Sequence, residues 1–318
     1  MSKHPFRFGV QLSNLPADSW QKQVRHIESL GYSTVFVPDH FSAGLWDPTT
    51  MLGGVAAVTE SLKVGTLVYG IDYRHPVIYA RQAATLQVMS QGRHEFGLGA
   101  GWMEEDYRWA GMAYDRPSVR IERLEEALTI IRGMWSGETT TFSGRHYPVD
   151  DIPLGIGLDP DAAPPILIGG GGRKLLTVAG RHADIVGINP KIPEGRITAE
   201  TPLDLTPERV REKLGWVRAA AEAAGRDFDA IELNSLVFFT TVTDDPGPVL
   251  QMISANTGLP ELQVADLPLV LVGSASAIID TLEKRREDTG VSYIVIQGAD
   301  VEQLELFAEQ VVTPLAGN

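Results

Sequence analysis

The sequence contains no cysteine. That absence excludes thiol nucleophiles, thiolate metal sites and a disulfide framework, and it fits a cytosolic setting. No apolar run reaches the length of a bilayer-spanning helix, and the opening residues, MSKHPFRFGVQL, lack the apolar core of a signal peptide. A soluble, cytoplasmic protein is therefore expected. Basic residues are in the minority: 27 Lys and Arg stand against 41 Asp and Glu, a net charge of −14. Such a surface repels nucleic-acid backbones and anionic membranes, so neither is expected as a partner. An anionic cofactor would need local help from backbone amides or a few arginines. Walker loops, zinc spacings, Ser–His–Asp motifs and paired-carboxylate signatures are also missing. The histidines show no helix-borne metal spacing, which argues against a catalytic metal; His75 and His94 read as structural.

What is present is an alternation. Apolar strands are expected at 6–12, 34–37, 62–68, 94–98, 166–168, 184–188, 231–242 and 293–296. Helical patterns lie between them. After the first strand, Trp20, Val24, Ile27 and Leu30 share one face, and Gly31 is placed to end the helix. A longer helix over 117–135 carries Ile121, Leu124, Leu128, Ile131 and Trp135 as its apolar stripe. Strands apolar on both faces and alternating with helices predict a parallel sheet covered by helices. Eight of them favour a closed α/β barrel, a (β/α)8 TIM barrel, over an open sheet. One domain is expected over 1–318, with insertions at about 139–164, 189–205 and 243–268; the stretch TTTFSGRHYPV within the first has the pattern of a hairpin.

Barrels of this kind carry their chemistry on the loops after the strands. The second strand ends in VFVPDHF, placing Asp39 and His40 at such a position. His40 has the side chain suited to proton transfer near neutrality, with Asp39 fixing geometry or accepting a hydrogen bond. The plainer alternative is a helix-capping Asp beside a surface histidine. The fifth strand ends in ILIGGGG, four glycines (Gly169, Gly170, Gly171 and Gly172) followed by Arg173 and a helix. Bare backbone and free helix amides suit a phosphate, whereas one or two glycines would satisfy a plain turn. GLGAGW, ending at Trp102, lacks the third glycine of a dinucleotide fingerprint and reads as backbone passing a flat ligand. Trp46, Trp102 and Tyr107 are candidate pocket walls, with helix packing an equal alternative for Tyr107.

Taken together, VFVPDHF, VGTLVYGIDYRHP, ATLQVMSQGRHEFGLGAGWMEEDY and PPILIGGGGRKLLTVAGRHADIVGINP resemble the bacterial luciferase-like superfamily. Within it they look most like the oxidoreductases that depend on the deazaflavin coenzyme F420, and the likeness covers nearly the whole chain in order. The resemblance implies the same barrel, with a flavin-like ring over the strand ends beside Asp39 and His40. It implies a bulge with a non-prolyl cis peptide at Leu67 and Val68 behind the ring, close to Gly70. It also implies that residues 169–172 and Arg173 hold a phosphate, and that Gly99 and Gly101 pass near the cofactor's side chain. Two departures stand out. The family's sugar-phosphate dehydrogenases carry glutamate where this chain has Trp102, and some FMN monooxygenases carry asparagine where it has Met103. The expected function is hydride transfer between F420 and a small organic substrate, in a homodimer. A reduced-FMN-dependent monooxygenase and a non-catalytic flavin-binding barrel are the alternatives.

Overall fold

A computed structural model describes residues 4–192, 195–298 and 300–317. Its centre is a closed barrel of eight parallel strands: β1 (Arg7–Gln11), β2 (Thr34–Val37), β3 (Lys63–Thr66), β4 (His94–Gly99), β5 (Ile166–Gly170), β6 (Ile185–Ile188), β7 (Glu232–Val237) and β8 (Tyr293–Gln297). The spatial order is β3-β2-β1-β8-β7-β6-β5-β4, and pairing of Val64 with His94 and Gly65 with Glu95 closes the ring. All eight expected strands are therefore found. Main helices follow them as α1 (Trp20–Ser29), α2 (Pro48–Val58), α3 (Pro76–Met89), α4 (Pro117–Trp135), α5 (Arg173–His182), α6 (Pro207–Ala223), α7 (Ala275–Thr289) and α8 (Val301–Phe307).

Two apolar cores result. Phe36, Leu67, Leu167, Ile185, Tyr293 and Val295 fill the barrel lumen, and a larger core lies between strands and helices. In α4, Leu124, Leu128, Ile131 and Trp135 are fully or almost fully buried, each worth about 1.5–3 kcal/mol or more. Pro117 begins that helix, where its missing amide costs nothing. Gly31 ends α1 with a φ of 85°.

The connections depart further from expectation. The hairpin is present, pairing Thr140–Ser143 with Pro148–Ile152. The seventh strand, expected to run through 242, stops at Val237. Phe239–Val242 then pairs with Val270–Gly273 in a separate two-stranded sheet. The insertion at 243–268 is not irregular: it holds the helices Gly247–Thr257 and Glu261–Asp266. Pro246, Gly247, Pro248, Gly258 and Pro260 around the two helices carry loop signals that hid that helical order. Residues 193 and 194 of the 189–205 excursion lie outside the described residues, as do the chain ends of the 1–318 domain. Among the described residues no helix is long and apolar enough to cross a membrane.

Candidate active site

The apolar run of β2 is fully buried, so the first polar side chains after it emerge at the carboxyl end of the barrel. Asp39 is 4% exposed. Its Oδ2 accepts from Arg74 Nη1 at 2.8 Å and weakly from the Gly70 amide at 3.4 Å, while Arg74 also reaches Asp47 at 3.1 Å. Burial pushes the Asp39 carboxyl up, against the pull of Arg74. Asp39 thus ties the loop after β2 to the loop after β3.

His40 turns to a different acid. Its Nδ1 lies 2.6 Å from Oδ2 of Asp106, in the short helix Glu104–Ala110. Asp106 is wholly buried and also accepts from the Phe41 amide at 2.9 Å and the Tyr73 hydroxyl at 3.0 Å. Burial, then Asp106 itself, raises the Tyr73 phenol, so it remains a donor. A carboxylate offers only acceptors, so Nδ1 donates to Asp106 and Nε2 takes no part in that bond. The ring keeps 25% exposure and meets Trp102 edge-on at 5.5 Å. Asp39 accepts hydrogen bonds from Arg74 and Gly70, and it is Asp106 that holds the His40 ring, since side chains of consecutive residues at a strand end diverge.

Beside this dyad the peptide bond between Leu67 and Val68 is cis. Buried Gln11 donates from Nε2 to the Leu67 carbonyl at 2.7 Å. Leu67 points into the lumen core, and Val68 stays half-buried at its edge. Val68 rests on glycine: a Cβ on Gly99 would sit 2.8 Å from its Cγ2, and one on Gly169 3.7 Å from its Cγ1. A Cβ on Gly70 would meet the Tyr73 ring at 2.6 Å.

The four-glycine run divides. Added Cβ atoms would lie 2.4 Å from Leu175 at Gly170, 2.3 Å from the Pro190 backbone at Gly171 and 3.1 Å from Asn189 at Gly169. At those three positions internal packing by itself leaves little room for a side chain. Gly172 differs. Its nearest neighbour, Lys191 Cγ, is 4.0 Å away, and it precedes α5 with no side chain capping the helix amides. Arg173 follows, exposed. Buried Lys213 fixes the facing loop, donating to the Asn189 carbonyl at 2.7 Å and to Asp204 at 2.6 Å.

Gly101 has a φ of 72°, and a Cβ there would strike the Tyr107 hydroxyl at 2.0 Å. Tyr107 is itself fully buried and donates to Asp72 at 2.9 Å, so its expected place in a pocket wall is corrected. Trp46 and Trp102 are half-buried. Asp106, Arg74 and Gln11 escaped the sequence reading. Arg74 left one signal, a cation in an aromatic turn that needs an acid; Asp106 is masked by Glu104 and Glu105, acids of the same first helical turn. Among the described residues no group of three His, Asp or Glu could hold a metal ion.

A closed parallel barrel with an oriented imidazole, a glycine-backed bulge and an open helix N-terminus at one end defines a cofactor-binding α/β enzyme scaffold. Residues 2–252 match the luciferase-like monooxygenase family, and the chain belongs to that family. It is 35% identical over 165 residues to an F420-dependent glucose-6-phosphate dehydrogenase of Microbacterium testaceum, covering 49% of this chain and 48% of that one. The chain thus spans about half the length of that relative. It is 28% identical over 307 residues to an F420-dependent hydroxymycolic acid dehydrogenase of Mycobacterium tuberculosis, covering 86% and 79%. The fold matches the coenzyme F420-dependent tetrahydromethanopterin reductase of Methanopyrus kandleri with a TM-score of 0.78 and 19% identity, over 98% of this chain and 100% of that one.

Proposed function

We propose that the protein is an F420-dependent oxidoreductase that moves a hydride between the deazaflavin and a small organic substrate. The observation that carries this reading is His40, with Nδ1 held by buried Asp106 and Nε2 left to exchange a proton. The residues fit the cofactor: Val68 offers an apolar support backed by glycine, and Gly172 with the uncapped start of α5 and Arg173 offers amides and charge to a phosphate. Bound there, a deazaflavin supplies a carbon centre that gives or takes hydride. His40 Nε2 would give or take the accompanying proton at the substrate, Asp106 and Tyr73 would hold the ring in place, and Asp39 with Arg74 would keep both loops in register. Relatives named as F420-dependent dehydrogenases support the cofactor. Reduced FMN is the second reading, favoured by the monooxygenase members that name the family.

A homodimer is proposed through α2 and α3. Ile78, Val88 and Met89 of α3 are exposed, and Ile78, Met89, Arg81, Thr49 and Gly53 line a cleft of about 410 Å³ there. A cytoplasmic location fits the absence of cysteine.

Side-by-side fluorescence titration with F420 and FMN tests the function. Tight F420 binding with weak FMN binding supports it; tight FMN binding with oxygen uptake on reduction, or binding of neither, overturns it.

A further inference from the structure

Helix α6 buries one face, with Val210, Leu214, Val217 and Ala221 along it, and in that face stands Lys213. The Lys213 side chain has no exposure at all. Helical spacing calls for an apolar residue there, and burying a cation costs free energy that leucine or methionine would not. A brace needed only for packing would be apolar. The ammonium instead spends its bonds on the segment after β6. Its Nζ donates to the Asn189 carbonyl at 2.7 Å and to Asp204 Oδ2 at 2.6 Å. Burial draws the ammonium below its ordinary range, against the pull of Asp204.

Asp204 passes the constraint on. The same Oδ2 accepts from the Lys191 amide at 2.7 Å, while Oδ1 accepts from Arg209 Nη2 at 2.8 Å. The backbone is thus held on either side of Pro190, whose ring fixes its own φ. Residues 189–191 are also what the glycine loop packs against. The Asn189 amide donates to the Gly170 carbonyl at 2.9 Å. A Cβ on Gly171 would lie 2.3 Å from the Pro190 carbonyl carbon and 2.4 Å from the Asn189 carbonyl oxygen. The carbonyl that Lys213 grips therefore lies against Gly171, one residue before the open position at Gly172 and the uncapped start of α5.

We infer that Lys213 is a positioning residue for the anionic end of the cofactor: through the Asn189 carbonyl and Asp204 it holds residues 189–191 against the glycine loop, so that the first amides of α5 stay aimed at a phosphate. This rests on the proposed deazaflavin site. A side chain without exposure does not reach the ligand, so its effect passes through the backbone it holds. Without the ammonium, the Asn189 carbonyl and Asp204 lose their shared donor and the wall loosens beside Gly172. The ring support at Val68 and Gly99 uses none of these bonds. Lys213 should therefore matter for the phosphate and not for the ring.

The test is fluorescence titration of the full chain with the deazaflavin ribitol of F420 and with the 5′-phosphate of that ribitol, so that the ratio of the two dissociation constants isolates the phosphate. The wild type should bind the phosphate form at least tenfold more tightly. Lys213→Met should nearly abolish that preference, a loss of about tenfold that matches one charge-assisted hydrogen bond, while affinity for the ribitol stays within about twofold. Asp204→Asn, at a side chain 20% exposed, carries the test if Lys213→Met does not fold, and should lower the same preference about threefold or more. Equal weakening of both ligands makes Lys213 structural only and overturns the inference. A preference that the variants leave unchanged overturns it alone, with the proposed function standing. If the wild type binds both forms equally, the phosphate site at Gly172 fails as well; if it binds neither, the proposed function fails with it.

Discussion

The two ends of the barrel use the same side-chain types to opposite effect. At the amino end, Glu95 is 1% exposed and meets Arg7 at 2.5 Å, Lys63 at 3.2 Å and the Tyr293 hydroxyl at 2.9 Å. Arg7 in turn binds Glu232 and lies 3.4 Å over the Tyr293 ring. Against its burial, Arg7 and Lys63 hold the Glu95 carboxyl below its ordinary value. Each of these charges is answered from within the chain. At the carboxyl end Asp39 and Asp106 are as deeply buried and as well bonded, but the groups they hold are not closed off. His40 keeps Nε2 outside its bond to Asp106, and α5 begins with no side-chain cap beside open space at Gly172. Buried acid and exposed base therefore do not by themselves separate scaffold from site. What separates them is whether the last polar valence is spent inside the protein.

Substitutions at the two ends should separate stability from chemistry. Arg7→Met leaves Glu95 buried with weaker partners and should cost about 3–5 kcal/mol in denaturant unfolding, with little change in F420 affinity of the folded fraction. If stability falls by less than about 1 kcal/mol, the closed network at the amino end is not what holds it. His40→Ala should do the reverse. Turnover should drop roughly a hundredfold to a thousandfold on any substrate found by screening, while unfolding changes by about 1 kcal/mol or less. Unchanged turnover removes its assigned role.

Acid should act first on the amino end. Burial pushes His94 down to about 4 from an ordinary 6.5. The unfolded chain therefore takes up this proton before the folded one does. Stability should decline as pH falls from about 6.5 towards 4, by on the order of 3 kcal/mol, and His94→Asn should flatten that slope in a pH series of urea melts. The smallest effect belongs to orientation: Asp106→Asn should lower kcat about tenfold to a hundredfold and change the pH–rate profile, with KM nearly constant. A purely structural Asp106 would change stability alone.

Much of this was legible in the sequence because it is local. The strands at 34–37 and 166–168 announce themselves by continuous apolar runs, and His40 and Gly172 stand out because a strand end must hand over to something polar or bare. What escaped depends on pairing across the fold. Asp106 is one of three consecutive acids, and only the closed barrel shows which of them turns inward to a histidine 66 residues earlier. The glycines at 169–171 carried two meanings, cradle and close packing, and the approach of residues 189 and 190 gives weight to the second. The short sheet of 239–242 with 270–273 was hidden for the same reason, since neither strand has a partner nearby in sequence.

The most direct test of the account is F420 binding by the wild type and Gly172→Glu, measured as dissociation constant and as ligand-induced shift in unfolding. The backbone φ of −89° and the open space at Gly172 allow the side chain, so the variant should unfold like the wild type without ligand. With F420, the wild type should gain about 2.7 kcal/mol at a hundredfold excess over its dissociation constant. The variant, with a carboxylate where the phosphate should sit, should bind at least tenfold more weakly. Equal binding by the two proteins would contradict the claim that the open carboxyl end holds the cofactor.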